Sequence, residues 1–243
     1  MSKVGIIVAM QEEMQELINI MTDIDEKRIR EISFIEGEIE GTKCIAVQCG
    51  VGKVNAARIT QMMIDNFDLE YIINIGSAGA LNPTLEIGDI VIGDKLVQHD
   101  FDITAFGHTK GYITGVGDRI YSDEKLVERF EKAIDNLHEK VYKVKTGTIA
   151  SGDIFCTKVS MKDKIYAQFG ADCVEMEGAA IGQVCYLDSI PFVIIRSISD
   201  TPNGNNAVTF DQFVTLAAKR CANMIKEFFK DIKEEEKLQK GLI

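Results

Sequence analysis

The sequence is poor in side chains that bind metals or nucleic acids. Its three histidines, His99, His108 and His138, match no metal-binding spacing. Its six cysteines include no C-x-x-C pair, so neither a disulfide framework nor a zinc knuckle is predicted, and they are interpreted as small buried hydrophobic residues. The net charge of −11 disfavours nucleic acids and anionic membranes as partners, because both require clustered positive charge. We therefore expect no metal and no cofactor, and a small molecule as the partner.

The chain also lacks a long hydrophobic segment at its start. The apolar run Val4–Ala9 is followed at once by Gln11, Glu12 and Glu13, too early for a signal peptide or a membrane span. We accordingly expect a cytoplasmic protein. A hydrophobic content of 46% in 243 residues supports a sizeable core. Because no repeat or linker divides the chain, we predict one domain, residues 1–230, followed by a charged tail, residues 231–243.

Strands and helices are predicted along the whole chain, which favours an α/β fold. Apolar runs typical of buried strands lie at Val4–Ala9, Tyr71–Ile75, Asp89–Val97, Val141–Ile149 and Val193–Ile195. Apolar residues at three- and four-residue steps predict helices at residues 11–21, 122–137, 158–169 and 210–228. Phe34–Gln48 is predicted to be a hairpin.

Carboxylates and an arginine are concentrated after two of the short apolar runs. Glu175 and Glu177 follow Val174, whereas Arg196 and Asp200 follow the run that ends at Ile195. Any one acidic residue here is equally well explained as a helix cap or a favourable charge at a helix N-terminus. Their concentration favours a ligand crevice, because open α/β sheets bind ligands at the carboxyl ends of their strands.

Three loops carry further candidates. Residues 49–55 contain two glycines but match neither a P-loop nor a dinucleotide fingerprint, so they are interpreted as a point of close backbone approach. Residues 76–80 are small and leave room for a ligand, although a tight turn also explains them. Phe155 lies in a loop after a strand and is either a stacking surface for a flat base or part of the core.

A long loop is predicted at residues 99–118, which show no sustained periodicity. Phe101 and Phe106 on this loop would be costly to leave in water. They favour a contact between subunits.

Five motifs in order resemble one family, and they are Ala9–Glu13, Asn74–Gly79, Ser151–Asp153, Val174–Glu177 and Arg196–Asp200. Together they are similar to the bacterial 5'-methylthioadenosine/S-adenosylhomocysteine nucleosidases within the purine nucleoside phosphorylase superfamily, from near residue 3 to about residue 230. The resemblance implies a single-domain, three-layer α/β/α fold with a mixed central sheet. It also implies hydrolysis of the bond between adenine and a 5-thioribose, with 5'-deoxyadenosine as a further substrate.

The resemblance implies the catalytic roles. Asp200 corresponds to the general acid that protonates adenine at N7, with Ser199 alongside. Glu13 corresponds to the base that deprotonates water, helped by Arg196 and Ser77. An acid and a base on opposite sides of the sugar suit cleavage of an N-glycoside, which passes through an oxocarbenium-like sugar. Asp200 must then be buried, because an exposed aspartate is ionised at neutral pH.

The resemblance also implies how the nucleoside is held. Glu177 would bind the two ribose hydroxyls, with Met176 packed on the sugar and Glu175 in the same substrate-binding set. Phe155 would stack on adenine, and the backbone of Cys156 would contact its Watson–Crick edge.

The pocket for the alkylthio group would be shared between two subunits. Met10, Val51 and Phe210 would line it, and Phe106 would arrive from a second subunit, which implies a homodimer. Thr114 stands where many relatives have proline, and this bears on the size of the 5'-substituent. The asparagine-rich loop Asn203–Asn206 would close over the purine and exclude water.

Two other functions compete with hydrolysis. A phosphorylase of the same fold needs several cationic or N–H donors for phosphate, and this chain has Asn74 where hexameric phosphorylases carry an arginine, leaving Arg196. A non-catalytic nucleoside-binding protein has no need of both Glu13 and Asp200. We therefore predict a hydrolase.

Overall fold

The computed structural model describes residues 2–135, 142–201 and 206–239, with side chains described throughout except at residues 135, 206–212, 236 and 239. The strands in these ranges are β1 Lys3–Val8, β2 Thr22–Ile29, β3 Ile32–Ile39, β4 Thr42–Gln48, β5 Leu69–Ala80, β6 Ile90–Gln98, β7 Ile120–Tyr121, β8 Val144–Ser151, β9 Cys173–Glu175 and β10 Phe192–Asp200. The helices are α1 Gln11–Ile18, α2 Lys53–Asn66, α3 Glu124–Asp135, α4 Val159–Phe169, α5 Gly178–Leu187 and α6 Asn206–Gln239.

The strands form one mixed sheet organised around β5. This strand pairs in parallel with β1 and β10 and antiparallel with β9. From β10 the pairing continues through β6 and β8 back to β9, so β5, β10, β6, β8 and β9 form a closed ring. On its other side β1 is followed by β4, β3 and β2. The closure brings the carboxyl ends of β5 and β10 beside β9.

Helices cover both faces of the sheet. The side chains of α1, α3 and α6 share one apolar cluster with β1 and β5, and those of α2 and α5 share another. In the first cluster, the rings of Phe130 and Phe228 stack with their centroids 3.8 Å apart. Each large apolar side chain buried in this way contributes about 1.5–3 kcal/mol. The predicted three-layer α/β/α fold with a mixed sheet is confirmed.

Strand β2 was not predicted from the sequence. Its segment, Thr22–Ile29, is dominated by charged residues and almost wholly exposed, so it carries no apolar pattern. It pairs with β3 at the end of the sheet. Charged side chains on such an edge strand hinder its pairing with other chains.

Strand β10 is longer than its apolar run predicts. It extends from Phe192 to Asp200, and all nine residues are buried. The predicted end of the strand at Ile195 is therefore wrong, whereas the predicted position of Arg196, Ser199 and Asp200 at the carboxyl end of the sheet agrees with the structure. These polar side chains belong to a strand that has neighbours on both sides, which buries them.

The C-terminal helix crosses the predicted end of the domain without a break. Helix α6 continues to Gln239, and Ile232 packs against the core. The boundary at residue 230 stays a prediction. Residues 203–205 of the predicted asparagine-rich loop lie outside the described residues, and Asn206 begins α6. Within the described ranges, every helix is too short or too polar to serve as a membrane span.

Candidate active site

A cavity of about 370 Å³ opens at the carboxyl ends of β1, β5, β9 and β10. Its lining includes eleven of the residues predicted from the sequence, namely Met10, Glu13, Val51, Ser77, Phe155, Glu175, Met176, Glu177, Arg196, Ser199 and Asp200. Cys156 lies in a small adjoining cavity that shares Phe155 and Asp200 with the large one. Phe106 is exposed and outside this lining. The side chain of Phe210 lies outside what the structure describes.

Glu13 projects into this cavity from the first turn of α1. Its carboxylate accepts hydrogen bonds from the backbone N–H groups of Ala9, Met10 and Ser77, at 2.9, 3.0 and 3.2 Å. Burial raises the pKa of Glu13, although these hydrogen bonds and the charge of Arg196 oppose the shift. A carboxylate whose proton affinity is raised and whose position is fixed is suited to accept a proton from water.

Arg196 is locked in a buried network. Its Nε lies 3.2 Å from Glu175 Oε2, and its Nη2 contacts both Glu175 and Asn74. Burial is the largest influence on Arg196 and opposes its charge, but the attraction of Glu175 and Glu177 prevails and raises the pKa of Arg196 above its ordinary value. The guanidinium is therefore permanently charged and largely neutralised by protein carboxylates.

Glu175 is fully engaged by donors of the protein itself. Besides Arg196, its Oε2 accepts the N–H groups of Glu177 and Gly178, at 3.1 and 2.7 Å, and its Oε1 accepts the Ser151 hydroxyl. Glu175 lines the cavity, but these bonds make it a support for Arg196 and for the start of α5. Its predicted contact with the substrate stays a prediction.

Glu177 faces the same cavity, and fewer hydrogen bonds offset the burial of its carboxylate than is the case for Glu175. Its Oε1 accepts the N–H of Gly52 at 2.9 Å. Burial, together with the charge of Glu175, raises the pKa of Glu177 to about 8. Gly52 has a φ of 103°, a conformation that favours glycine. A Cβ there would lie 3.3 Å from Asp153 Oδ1, so the backbone of the glycine loop does approach its neighbours closely, as predicted.

Asp200 ends β10 and is only 2% exposed. Its Oδ1 lies 3.2 Å from the Ser199 hydroxyl, and its Oδ2 lies 2.6 Å from Lys162 Nζ. The required burial of Asp200 is confirmed. Lys162 was not predicted to lie here. The signal was present, since Lys162 shares the buried face of α4 with Ile165 and Phe169 at helical spacing.

Two glycines of β5 make room for the two acidic groups. A Cβ at Gly76 would lie 2.9 Å from Glu13 Oε1, and a Cβ at Gly79 would lie 2.9 Å from Asp200 Oδ2. The small residues after the predicted strand are thus explained by close approach. Gly76 and Gly79 are three residues apart, so Glu13 and Asp200 meet β5 at points roughly 10 Å apart.

Hydrogen bonds tie together the loops that carry two lining residues, Val51 and Phe155. The backbone N–H of Lys53 donates to Asp153 Oδ1 at 2.8 Å, and its Nζ lies 2.6 Å from Asp100 Oδ1. The N–H of Asp153 donates to Asp100 Oδ2 at 2.8 Å. Phe155 is 45% exposed, so the core alternative for it is wrong. Among the described residues, no group of three histidine, cysteine, aspartate or glutamate side chains is arranged to hold a metal ion.

The chain is similar over almost its full length to characterised proteins. A model of the phosphorylase superfamily matches residues 3–230. The 5'-methylthioadenosine/S-adenosylhomocysteine nucleosidase of Geobacillus kaustophilus is 39% identical over 234 residues, covering 96% of this chain and 99% of that relative. The nucleosidase of Bacillus subtilis is 38% identical over 231 residues, covering 95% and 99%.

Solved structures of similar proteins share the fold of this chain. The Neisseria meningitidis 5'-methylthioadenosine/S-adenosylhomocysteine nucleosidase in complex with methylthio-immucillin-A superposes with a TM-score of 0.90 at 36% identity, covering 95% of this chain and 100% of that one. The native futalosine hydrolase of Helicobacter pylori superposes with a TM-score of 0.89 at 31% identity, covering 95% and 98%.

Proposed function

This chain belongs to the 5'-methylthioadenosine/S-adenosylhomocysteine nucleosidases of the phosphorylase superfamily, and from that premise we propose how its cavity carries out the reaction. The enzyme hydrolyses the N-glycosidic bond of these adenine nucleosides and releases adenine and the 5-substituted ribose. Our proposal concerns the residues that perform each step. It also includes 5'-deoxyadenosine as a substrate and the cytoplasm as the location.

In the proposed mechanism, Asp200 protonates N7 of adenine, so that the base leaves as a neutral molecule. Glu13 takes a proton from the water that attacks C1' of the sugar. The observation that carries this assignment is the burial of both carboxylates, each 2% exposed, beside separate glycines of β5 in one cavity. Positioned acid and base groups each contribute roughly 10²–10⁴-fold to such reactions.

The remaining candidates hold the nucleoside. Glu177 binds the ribose hydroxyls beside Met176, and Phe155 stacks on adenine from the rim of the cavity. The backbone of Cys156 contacts the Watson–Crick edge of the base. Met10, Val51 and Phe210 surround the alkylthio group, and the support for the first two is their place in the cavity lining.

We further propose a homodimer that places Phe106 of a second subunit at this site. Phe106 is 81% exposed, and Val51, Ile154 and Phe155 are also exposed at 45–49%. Val51, Ile154 and Phe155 line this cavity and the small one beside it, and large apolar side chains exposed at a cavity are typical of an interface.

The electrostatics of the cavity favour water over phosphate as the attacking group. Among the described residues that line it, Arg196 is the one cation, and Glu175 already pairs with it. Asn74 donates to Ile7 O at 2.8 Å and is also occupied by Arg196. A phosphate dianion would lack the cationic donors that it requires.

Asp200→Asn tests the assignment of the acid. The amide keeps the shape of the side chain but has no acidic proton for N7, so kcat should fall about 10²–10⁴-fold. Adenine release from methylthioadenosine in phosphate-free buffer measures the rate, and calorimetry with a 7-deaza analogue measures binding, which should persist. Asp163→Asn, an exposed change on α4, is the matched control. Unchanged turnover in the Asp200 variant would refute the proposed acid.

A further inference from the structure

A buried ion pair lies at the end of the cavity assigned to the base. Lys162 is 1% exposed, and its Nζ lies 2.6 Å from Asp200 Oδ2 and 3.4 Å from the carbonyl oxygen of Thr201. A Cβ built on Gly79, which lines the cavity, would lie 3.2 Å from the same Nζ. The ammonium of Lys162 therefore lies behind the Asp200 carboxylate and next to Gly79 in the cavity wall.

This pair raises a question about the proposed acid. An ammonium in hydrogen-bond contact favours the ionised form of a carboxylate. A carboxylate in such a pair needs a proton source before it can act as an acid, and the ammonium of Lys162 is in direct contact with Asp200. Among the described residues, the hydroxyl of Ser199 also contacts Asp200, but an alcohol is far too weak an acid to replace an ammonium.

We propose that Lys162 supplies the proton that Asp200 passes to N7 of the adenine base. This inference rests on the proposed function of Asp200 as the acid, and it makes Lys162 a positioning residue that acts through Asp200. The pair is already almost excluded from solvent, because Lys162 is 1% and Asp200 2% exposed. In such a dry site, a neutral amine and carboxylic acid become closer in energy to the separated charges, because solvation no longer favours the ions.

The proton balance closes without any other reactant. Lys162 transfers one proton to Asp200, which transfers one to N7. The bond between N9 and C1' breaks, and its electron pair stays on N9 of the neutral base. Water adds to C1' while Glu13 accepts its proton. Afterwards Glu13 releases that proton to solvent and Lys162 recovers one, so the net reaction consumes one water.

Two thiols among the described residues interact electrostatically with the pair. Lys162 and Asp200 both act on Cys156, and burial raises the pKa of its thiol to about 11. Asp200 also acts on Cys173, and burial raises the pKa of that thiol as well. Both thiols therefore stay protonated between pH 5.5 and 9.5. On α4, Asp163 and Lys164 are exposed to solvent.

A purely structural ion pair makes a different demand on residue 162. Such a pair requires a positive charge of suitable length, which arginine provides. A proton source requires a group that can release its proton, which arginine cannot do in a protein. The two roles are therefore separable by substitution.

The experiment compares Lys162→Met and Lys162→Arg with wild type over pH 5.5–9.5. Values of kcat/KM for methylthioadenosine are expressed as ratios to wild type at each pH, which cancels the titration of Glu13 and Glu177. Lys162→Met should lie within about 3-fold of wild type at pH 5.5, where solvent protons are plentiful, and fall at least about 10-fold below it at pH 9. Lys162→Arg should be at least about 10-fold slower at pH 7 and above. Lys164→Met on the same helix should match wild type.

A second substrate separates proton supply from general damage. A 4-nitrophenyl 5-methylthioribofuranoside has a leaving group that departs as a stable anion, so it needs no proton. Both Lys162 variants should hydrolyse it within about 3-fold of wild type. Binding of a 7-deaza analogue and the melting temperature report whether each variant is folded.

Several outcomes would overturn this inference. A pH profile of Lys162→Met parallel to wild type would do so, as would a Lys162→Arg enzyme with the wild-type profile. If neither variant folds, Lys162→Gln, which keeps most of the length and a polar end of the side chain, replaces Lys162→Met, and the same fall in its ratio to wild type with rising pH is expected. If Asp200→Asn retains turnover, the proposed acid is refuted as well. If Asp200→Asn loses turnover but the ratios of the Lys162 variants to wild type do not change with pH, Asp200 remains the proposed acid and only its supply by Lys162 is refuted.

Discussion

Glu177 couples the chemistry of the cavity to the stability of the fold. Burial and the charge of Glu175 raise its pKa from 4.5 to about 8. The folded protein thus keeps this proton up to about pH 8, whereas the unfolded chain releases it near pH 4.5. Because the folded state binds more protons in that interval, the contribution of Glu177 to stability is complete at low pH and is lost as pH rises towards 8.

Glu177→Gln should remove this pH dependence. The difference in free energy of unfolding between wild type and the variant should become less favourable to wild type from pH 5 to 8, by at most about 1.4 kcal/mol per pH unit. Urea unfolding at each pH measures it. Glu12→Gln, an exposed change on α1, serves as the control. Parallel curves for wild type and Glu177→Gln would show that the glutamate is ionised in the folded protein at neutral pH.

Single residues of the site were predictable to different degrees. Glu13 and Asp200 stand in motifs, and the structure brings both to the cavity. Lys162 stands in no motif, and its partner is 38 residues away in sequence. Its spacing from Ile165 and Phe169 places Lys162 on the apolar face of α4, but this spacing does not indicate that the face packs against Asp200.

At the scale of elements, the carboxyl end of β5 leaves space for the cavity because its glycines have no side chains. Gly76→Ala would put a methyl group 2.9 Å from Glu13 Oε1 and 3.4 Å from Arg196 Nη1. Both neighbours are fixed by other bonds, so the carboxylate must shift. We expect kcat/KM to fall at least about 10-fold while overpacking costs about 1–3 kcal/mol of stability.

Gly93→Ala on β6 is the matched control for this substitution. Its methyl group would lie 2.7 Å from Ile149 Cδ1, the flexible end of a core side chain. It should reduce the melting temperature without a comparable loss of rate. Equal losses of kcat/KM in both variants would show that strand packing in general, and not the space at Glu13, limits the enzyme.

The ends of strands could be predicted from runs of apolar residues only where the buried side chains of the strand are apolar. The hairpin β3–β4 agrees with its apolar runs because its inward side chains are hydrophobic. Strand β5 extends through Ala80, so the prediction of a loop at residues 76–80 is wrong, because these small residues pair with β9 and β10 although they show no apolar run. Strand β2 has an exposed, charged sequence without an apolar pattern, so its sequence does not predict a strand. It is held in place by its pairing with β3. Strand β10 keeps its polar end buried because that end carries the site.

At the scale of the whole molecule, the proposed homodimer makes each site depend on two chains. Phe106→Ala should raise KM for methylthioadenosine more than it lowers kcat, because Phe106 would contact the alkylthio group and take no part in proton transfer. Mixing Phe106→Ala chains with Asp200→Asn chains tests the geometry directly. A mixed dimer has one site with both native residues, so activity at low substrate concentration should rise after subunit exchange.

No gain on mixing, with exchange confirmed by mass spectrometry, would place Phe106 in the site of its own chain or outside it. Sedimentation velocity gives the assembly state of each variant alone. Phe101→Ala on the same loop offers a comparison, since Phe101 is less exposed than Phe106.

The order of strands has a consequence for how the enzyme is made. Strand β10 lies between β5 and β6, although it leaves the ribosome more than a hundred residues after β5. Until it arrives, the growing chain has two unpaired strand edges and only one of the two carboxylates that we propose for catalysis. Under that proposal, competence for hydrolysis is acquired near the end of translation, and the step that completes the sheet also completes the active site.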